Sequence, residues 1–125
     1  MTTALVIEDD DDIRRLLEVV LTQAGYSVAG ADTGTSGLEA LEAQVPDLLL
    51  VDVGLPDLEG YEVVRRARDR VDGHIVMLSA RSQEADVQLG IDAGADEYLT
   101  KPFRPRQLRE RLAEIVAQPV TRGGR

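Results

Sequence analysis

Cysteine is absent from the 125 residues, and aromatic residues are scarce, with one Phe, three Tyr and no Trp. Without cysteine, the chain can form neither a disulfide, nor a thiolate metal site, nor a thiol nucleophile. No apolar run approaches the roughly 18 to 20 residues of a membrane-spanning helix, and the first three residues lack the basic start of a signal peptide. We therefore expect a cytoplasmic protein with no membrane partner.

Basic residues are outnumbered, 14 against 23 acids, which gives a net charge of −9. Nucleic-acid binding requires a basic patch that neutralises phosphates, so we expect no direct nucleic-acid binding by this domain. Of the 14 basic residues, 13 are arginine, and the single lysine is Lys101. A solvated position would be expected to take arginine here as well, so this lysine is a candidate for a specific role.

Apolar runs alternate with helical patterns along the chain, which predicts βα units and a mostly parallel α/β sheet with a (βα)5 pattern. At 125 residues and 43% apolar content, one domain is expected. We place it at residues 1–118, and residues 119–125 read as a linker or disordered tail that could lead to an effector domain.

Individual segments give more specific predictions. Residues 48–51 are apolar at every position, as in a central strand covered on both faces, and residues 26–31 are expected at the sheet edge. Pro46 should end a helix that carries Leu38, Leu41 and Val45. The helix near residues 83–93 lacks a clean apolar stripe and should pack marginally. Four arginines are expected on a solvated helix face: Arg65, Arg66, Arg68 and Arg70.

Polar residues follow the predicted strands at the carboxyl ends, where an open parallel sheet binds its ligands. The first strand is followed by Glu8, Asp9 and Asp10, and the third by Asp52. Ser79 ends the fourth strand, and Lys101 follows the fifth. Asp10 is ambiguous, because it could cap the first helix, support Lys101 or do both.

The residue types at these strand ends suit phosphoryl chemistry. Clustered carboxylates repel one another unless one is protonated or a divalent cation neutralises them, and an oxygen-only ligand set favours Mg²⁺. Asp52 is ionised at neutral pH and can act as a nucleophile that forms an aspartyl phosphate. Lys101 would supply a positive charge to a phosphoryl oxygen, and the Ser79 hydroxyl could donate a hydrogen bond to the same group.

Taken in order, four segments resemble the receiver domain of two-component response regulators, the CheY-like superfamily, from residue 3 to residue 117. They are LVIEDD at residues 5–10, LVDVGLP at 50–56 followed by Gly60, MLSA at 77–80 and GADEYLTKPF at 94–103. Each motif alone is a weak signal, but four in sequence are strong. The resemblance implies a flavodoxin-like, doubly wound parallel sheet with strand order 2-1-3-4-5.

The resemblance also implies the role of each site residue. Asp52 is the implied phosphorylation site, with Lys101 and Ser79 on the phosphoryl oxygens. Mg²⁺ would be held by the side chains of Glu8, Asp9 and Asp52 and by one backbone carbonyl, that of Gly54. Tyr98 matches the aromatic residue that turns inward when Ser79 moves toward the phosphate, and the peptide bond before Pro102 is expected to be cis.

In function, the resemblance implies a signalling switch rather than an enzyme with an external substrate. A sensor histidine kinase would donate the phosphoryl group, and the domain would catalyse only its own phosphorylation and dephosphorylation. The surface of helix 4, strand 5 and helix 5 would then control an output, with transcription as the expected one and a homodimer as a plausible active form. Gly54 and Arg81 occupy positions that influence the access of water to the phosphate.

Three other functions are compatible with parts of the pattern. A Mg²⁺-dependent aspartyl-phosphate phosphatase needs a second Asp two residues after the nucleophile, where this chain has Gly54. A flavodoxin-like cofactor protein needs a phosphate-binding glycine loop and flavin-stacking aromatics, both of which are missing here. A receiver that no longer accepts phosphate is disfavoured because every key position is filled.

Overall fold

The computed structural model of the protein describes residues 2–81 and 83–120. Strands and helices alternate along this part of the chain, in the order β1 (Thr3–Ile7), α1 (Asp11–Gln23), β2 (Ser27–Ala31), α2 (Gly34–Ala43), β3 (Leu48–Asp52), α3 (Gly60–Arg68), β4 (His74–Ser79), α4 (Glu84–Ala93), β5 (Glu97–Thr100) and α5 (Pro105–Val116). This alternation confirms the predicted (βα)5 pattern. Most of the predicted tail, residues 121–125, lies outside the described residues.

The five strands form one parallel sheet in the order β2-β1-β3-β4-β5. This arrangement confirms the expected flavodoxin-like fold and its strand order. Every residue of β3 is buried, as predicted for the central strand, whereas β2 lies at the edge and buries one residue. Since all the strands run in the same direction, their carboxyl ends meet along one edge of the sheet.

Helices cover both faces of the sheet and create two apolar layers. Helices α2, α3 and α4 pack against one face, and α1 and α5 pack against the other. Alternate residues of each central strand supply the two layers: Leu49 and Val51 of β3 belong to the first, and Leu48 and Leu50 to the second. Consecutive apolar residues are therefore required in β3, because side chains alternate between two buried faces.

The first helix begins and ends at residues suited to those positions. The Asp10 carboxylate accepts hydrogen bonds from the backbone N–H groups of Asp12 and Ile13, at 2.9 and 3.0 Å. Asp10 is therefore the cap of α1. Gly25 follows the helix with a φ of 100°, a conformation that side-chain-bearing residues rarely adopt.

The prediction for the end of α2 was wrong by two residues. The helix ends at Ala43, Gln44 is extended, and the Val45 side chain is 49% exposed instead of packing in the core. A residue before proline is sterically biased away from the helical conformation, and Pro46 is itself buried. The chain therefore leaves the helix early enough to bury the proline.

The prediction for Arg68 was also wrong, because its side chain is buried while Arg65, Arg66 and Arg70 are exposed. Its guanidinium donates hydrogen bonds of 2.8 Å to the carbonyl oxygens of Val71, Gly73 and Gly94, and a bond of 3.1 Å to the Asp96 carboxylate. The guanidinium thereby joins the end of α3 to the start of β4 and to the α4–β5 turn.

Helix α4 packs as loosely as its sequence predicted. It fully buries only Gly90 and Ala93, the fewest of the five helices. Few buried contacts make an element inexpensive to shift. None of the helices within residues 2–81 and 83–120 is both long and apolar enough to cross a membrane.

Candidate functional site

Acidic side chains meet at the carboxyl edge of the sheet. Asp52 is the last residue of β3 and is 5% exposed, and Glu8 directly follows β1 and is fully buried. The Glu8 backbone N–H donates to Ala31 at the end of β2, which fixes the chain where it leaves the sheet. Asp9 is exposed beside them. The structure thus brings together the three acids that the sequence predicted as metal ligands.

The three acids have the geometry of a cation site. Glu8, Asp9 and Asp52 can each contribute a carboxylate oxygen to a group in which these atoms lie within 4.8 Å of one another. Three hard oxygen donors without histidine or cysteine match the preference of Mg²⁺. The residues present therefore fit the ion that the sequence implied.

Lys101 provides the positive charge inside this acidic cluster. Its Nζ lies 2.6 Å from Glu8 Oε1 and 3.0 Å from Asp52 Oδ1, and the side chain is 15% exposed. The Lys101 backbone N–H donates to the carbonyl of Ser79 at 2.8 Å, which holds the start of the β5–α5 loop against β4. The peptide bond between Lys101 and Pro102 is cis.

The electrostatics of the cluster show a shortage of positive charge. Burial raises the pKa of Glu8 from 4.5 to about 7, the hydrogen bond from Lys101 opposes this shift, and the Asp52 charge adds to it. For Lys101, burial lowers the pKa, but the hydrogen bonds to Glu8 and Asp52 outweigh it and the net shift is upward. One lysine therefore does not fully compensate the buried acids, and a divalent cation would complete the neutralisation.

The loop from residue 53 to residue 60 lies against Asp52. The Gly60 N–H donates to the Val53 carbonyl at 2.8 Å, and Gly54 pairs with Glu59 in an isolated antiparallel bridge. A Cβ added at Gly60 would lie 2.2 Å from the Asp52 carbonyl oxygen, so this position requires glycine. At Gly54 a Cβ would meet only Asp52 Oδ2, at 3.9 Å, and the space there is open.

Ser79, Arg81 and Tyr98 are connected by hydrogen bonds. Ser79 is buried, and its Oγ accepts from the Arg81 N–H at 2.9 Å. The Tyr98 hydroxyl donates to the Arg81 carbonyl at 2.9 Å, and the tyrosine side chain is buried. The Arg81 guanidinium lies 4.0 Å from the Glu59 carboxylate on the opposite loop. The backbone of Arg81 is thus hydrogen-bonded to the hydroxyl groups of both Ser79 and Tyr98.

The lone histidine takes no part in this cluster. His74 begins β4 at the opposite end of the sheet, and its Nε2 lies 2.6 Å from the Gln118 carbonyl oxygen.

The comparisons with known proteins identify the family. Residues 4–113 match the response regulator receiver domain, and the chain belongs to this family. The transcriptional regulatory protein AfsQ1 of Streptomyces coelicolor is 44% identical over 116 residues, which cover 93% of this chain and 52% of that protein. The chain spans about half the length of the curated relatives it matches.

Solved structures agree with this assignment. A CheY-like response regulator receiver domain from Methanospirillum hungatei is 30% identical, with a TM-score of 0.87 and 94% of both chains covered. The BeF3-activated DrrB receiver domain is 31% identical, with a TM-score of 0.85 over 94% of this chain and 99% of the other. This chain is therefore a signalling domain of the two-component type, as its motifs predicted.

Proposed function

We propose that Asp52 accepts a phosphoryl group from the phosphohistidine of a sensor histidine kinase, in a Mg²⁺-dependent reaction. The observation that carries this proposal is the environment of Asp52: a buried carboxylate at a strand end, 3.0 Å from Lys101 Nζ and grouped with Glu8 and Asp9. Burying a carboxylate in this way is costly unless it is paired or bound to a metal. Here Asp52 shares the single charge of Lys101 with Glu8, so a bound cation would supply the remaining neutralisation.

In the proposed reaction, an Asp52 oxygen attacks phosphorus while the P–N bond to the kinase imidazole breaks. The phosphoryl group moves to the carboxylate and the electron pair of the broken bond stays on the imidazole nitrogen. Lys101 would turn from the free carboxylate to the phosphoryl oxygens, and the Ser79 hydroxyl would donate a hydrogen bond to one of them. Catalysis here consists of positioning and charge neutralisation.

Four groups would hold the cation: the carboxylates of Glu8, Asp9 and Asp52 and the backbone carbonyl of Gly54. When bound, Mg²⁺ supplies positive charge that offsets the charge of the transferring phosphoryl group. Asp10 is assigned to capping, because its carboxylate accepts from two N–H groups of α1. Its own N–H donates to Glu8 Oε2 at 3.3 Å, which orients that ligand.

The proposed switch uses the hydrogen bonds around Arg81. The Ser79 hydroxyl oxygen accepts from the Arg81 N–H, and Tyr98 donates to the Arg81 carbonyl. Because the Tyr98 ring is already buried, movement of Ser79 toward a phosphoryl group would act by displacing the Arg81 backbone that holds the ring. Because α4 fully buries only two residues, the surface of α4, β5 and α5 can respond at low cost.

The wider context of the domain follows from the same proposal. Residues 1–118 form the receiver, and residues 119–125 connect it to an effector that acts on transcription, the activity printed for the relative AfsQ1. The domain works in the cytoplasm, catalyses only its own phosphorylation and dephosphorylation, and forms a homodimer once phosphorylated. Arg81 and the open space at Gly54 set how quickly water removes the phosphoryl group.

The test is phosphoryl uptake from acetyl phosphate, measured by intact mass. Wild type should gain one phosphoryl group in Mg²⁺ and none in a chelator, and Asp52→Asn should gain none in either. Asp47→Asn is the matched control, since Asp47 immediately precedes the opposite end of the same strand. Uptake by Asp52→Asn equal to that of wild type would overturn the proposal.

A further inference from the structure

The β3–α3 loop is held in two places. Hydrogen bonds close its base, and further hydrogen bonds join its tip to helix α2. Asp57, at the tip of this loop, directs its carboxylate at the first turn of α2. Oδ1 accepts from the Gly34 N–H at 2.7 Å, and Oδ2 accepts from the Thr35 N–H at 2.9 Å and from the Thr35 hydroxyl at 2.5 Å. Three hydrogen bonds thus join residues more than twenty positions apart in the chain.

These bonds complete the cap of α2. Thr33 satisfies the Ser36 N–H with its side chain at 3.0 Å, and its carbonyl accepts from Gly37. The remaining first-turn donors, those of Gly34 and Thr35, have Asp57 as their acceptor. A helix N-terminus carries unpaired N–H groups and partial positive charge, both of which favour a carboxylate.

Two further features show a close fit between the loop and the helix. A Cβ added at Gly34 would lie 3.0 Å from the Leu58 Cβ and 3.2 Å from Asp57 Oδ1, so the helix start leaves just enough room for the loop. The hydrogen bonds from Thr35 lower the pKa of Asp57 to about 2, which keeps the carboxylate ionised at any physiological pH. Asp57 therefore accepts these hydrogen bonds as an anion.

The loop is short and closed, so its tip and its base cannot move independently. Gly54 pairs with Glu59, and Gly60 bonds Val53, which leaves four residues between the paired positions. The base of the loop carries Gly54, where an added Cβ would lie 3.9 Å from Asp52 Oδ2, and Asp57 fixes the tip on α2. Displacing Asp57 would therefore change the position of Gly54.

We infer that Asp57 is a positioning residue that sets the Gly54 carbonyl for cation binding by anchoring the β3–α3 loop on α2. This inference rests on the proposed function, because it assigns Asp57 a role in the Mg²⁺ affinity of the phosphorylation site. Asp57 itself contacts neither the acids of the site nor Lys101 among its described hydrogen bonds. Its effect is on geometry, through residues 54–57.

The experiment measures Mg²⁺ binding directly, by calorimetry and by the shift of the Gly54 amide resonance. Residues that orient a metal ligand typically contribute roughly 10- to 100-fold in affinity, and we expect Asp57→Ala to raise the dissociation constant about 10-fold. Asp57→Asn keeps one acceptor oxygen and should lie between this variant and wild type. Thr35→Val removes one donor and should shift the constant in the same direction. Asp69→Ala, an exposed acid after α3, is the control.

Phosphoryl uptake from acetyl phosphate separates positioning from a loss of stability. For Asp57→Ala, uptake should be slow at limiting Mg²⁺ and should return to the wild-type rate at saturating Mg²⁺. An unchanged Mg²⁺ constant in Asp57→Ala and Asp57→Asn, with or without a lower melting temperature, would overturn the inference while leaving the proposed function intact. A wild-type protein that takes up no phosphoryl group would instead overturn the proposed function.

Discussion

Replacing Glu8 by glutamine should change how the stability of the metal-free protein depends on pH. Glu8 is fully buried, and burial raises its pKa from 4.5 to about 7. Because the pKa of the folded state lies above that of the unfolded chain, the folded protein binds more protons between these pH values. The contribution of Glu8 to the free energy of unfolding of wild type therefore falls as pH rises from about 4.5 to about 7, and it levels off above that.

The size of the effect follows from the shift. One pKa unit corresponds to about 1.4 kcal/mol, so a shift from 4.5 to about 7 corresponds to roughly 3 kcal/mol, of which roughly 2 to 3 kcal/mol falls between pH 5 and pH 8. Glutamine does not titrate, so Glu8→Gln lacks this component. The stability of the variant relative to wild type should thus increase by that amount over this range.

Urea denaturation followed by circular dichroism, in the presence of a chelator at several pH values from 5 to 8, measures this difference. Glu39→Gln is the control, since Glu39 is exposed on α2 and its substitution should give a curve parallel to that of wild type. If the Glu8→Gln curve is also parallel to wild type, the carboxylate does not bear the burial cost that we assign to it.

Three further substitutions test other parts of the structure. Arg68→Leu removes hydrogen bonds to three carbonyls and the buried ion pair with Asp96, and should lower the free energy of unfolding by about 3 to 5 kcal/mol without preventing phosphoryl uptake; an unfolding curve like that of wild type would contradict the buried role. Lys101→Met should slow phosphoryl uptake about 100-fold, measured by intact mass, because it removes a charge from the transferring group; an unchanged rate would exclude Lys101 from the reaction. Gly60→Ala should lower both the melting temperature and the uptake rate, because the new Cβ would lie 2.2 Å from the Asp52 carbonyl, and wild-type values for both would show that the loop relaxes freely.

Much of the fold could be predicted because it depends on local patterns. A strand buried on both faces must be apolar at every position, and residues 48–51 satisfy this condition. The carboxyl ends of parallel strands share one edge, so the residues after each strand could be grouped before any coordinates were known. Glu8, Asp9, Asp52 and Lys101 do lie together there.

The failures involve polar groups whose partners are distant in the chain. Arg68 follows Tyr61 and Val64 at helical spacing, so periodicity places it on the buried face of α3. Its charge suggested exposure. The carbonyl oxygens that accept its hydrogen bonds belong to Val71, Gly73 and Gly94, which come together only in the folded protein. Charge is a poor guide to exposure where helix ends leave carbonyls unpaired.

Asp57 illustrates the same limitation at the functional site. In the sequence it is one acid in a loop, and nothing nearby shows that its partners are Gly34 and Thr35. Helix capping is usually sought within a few residues of the helix, whereas this acceptor comes from the other side of β3. Only the packing of α2 beside the β3–α3 loop identifies it.

Locating the phosphoryl group at a single residue tests the central claim most directly. After incubation with acetyl phosphate and Mg²⁺, borohydride reduction converts a phosphorylated aspartate to homoserine, which tandem mass spectrometry of the peptide containing residues 48–60 can assign. We predict homoserine at Asp52 alone. Homoserine at Asp57, or an unmodified peptide in a protein that has gained a phosphoryl group, would contradict the account.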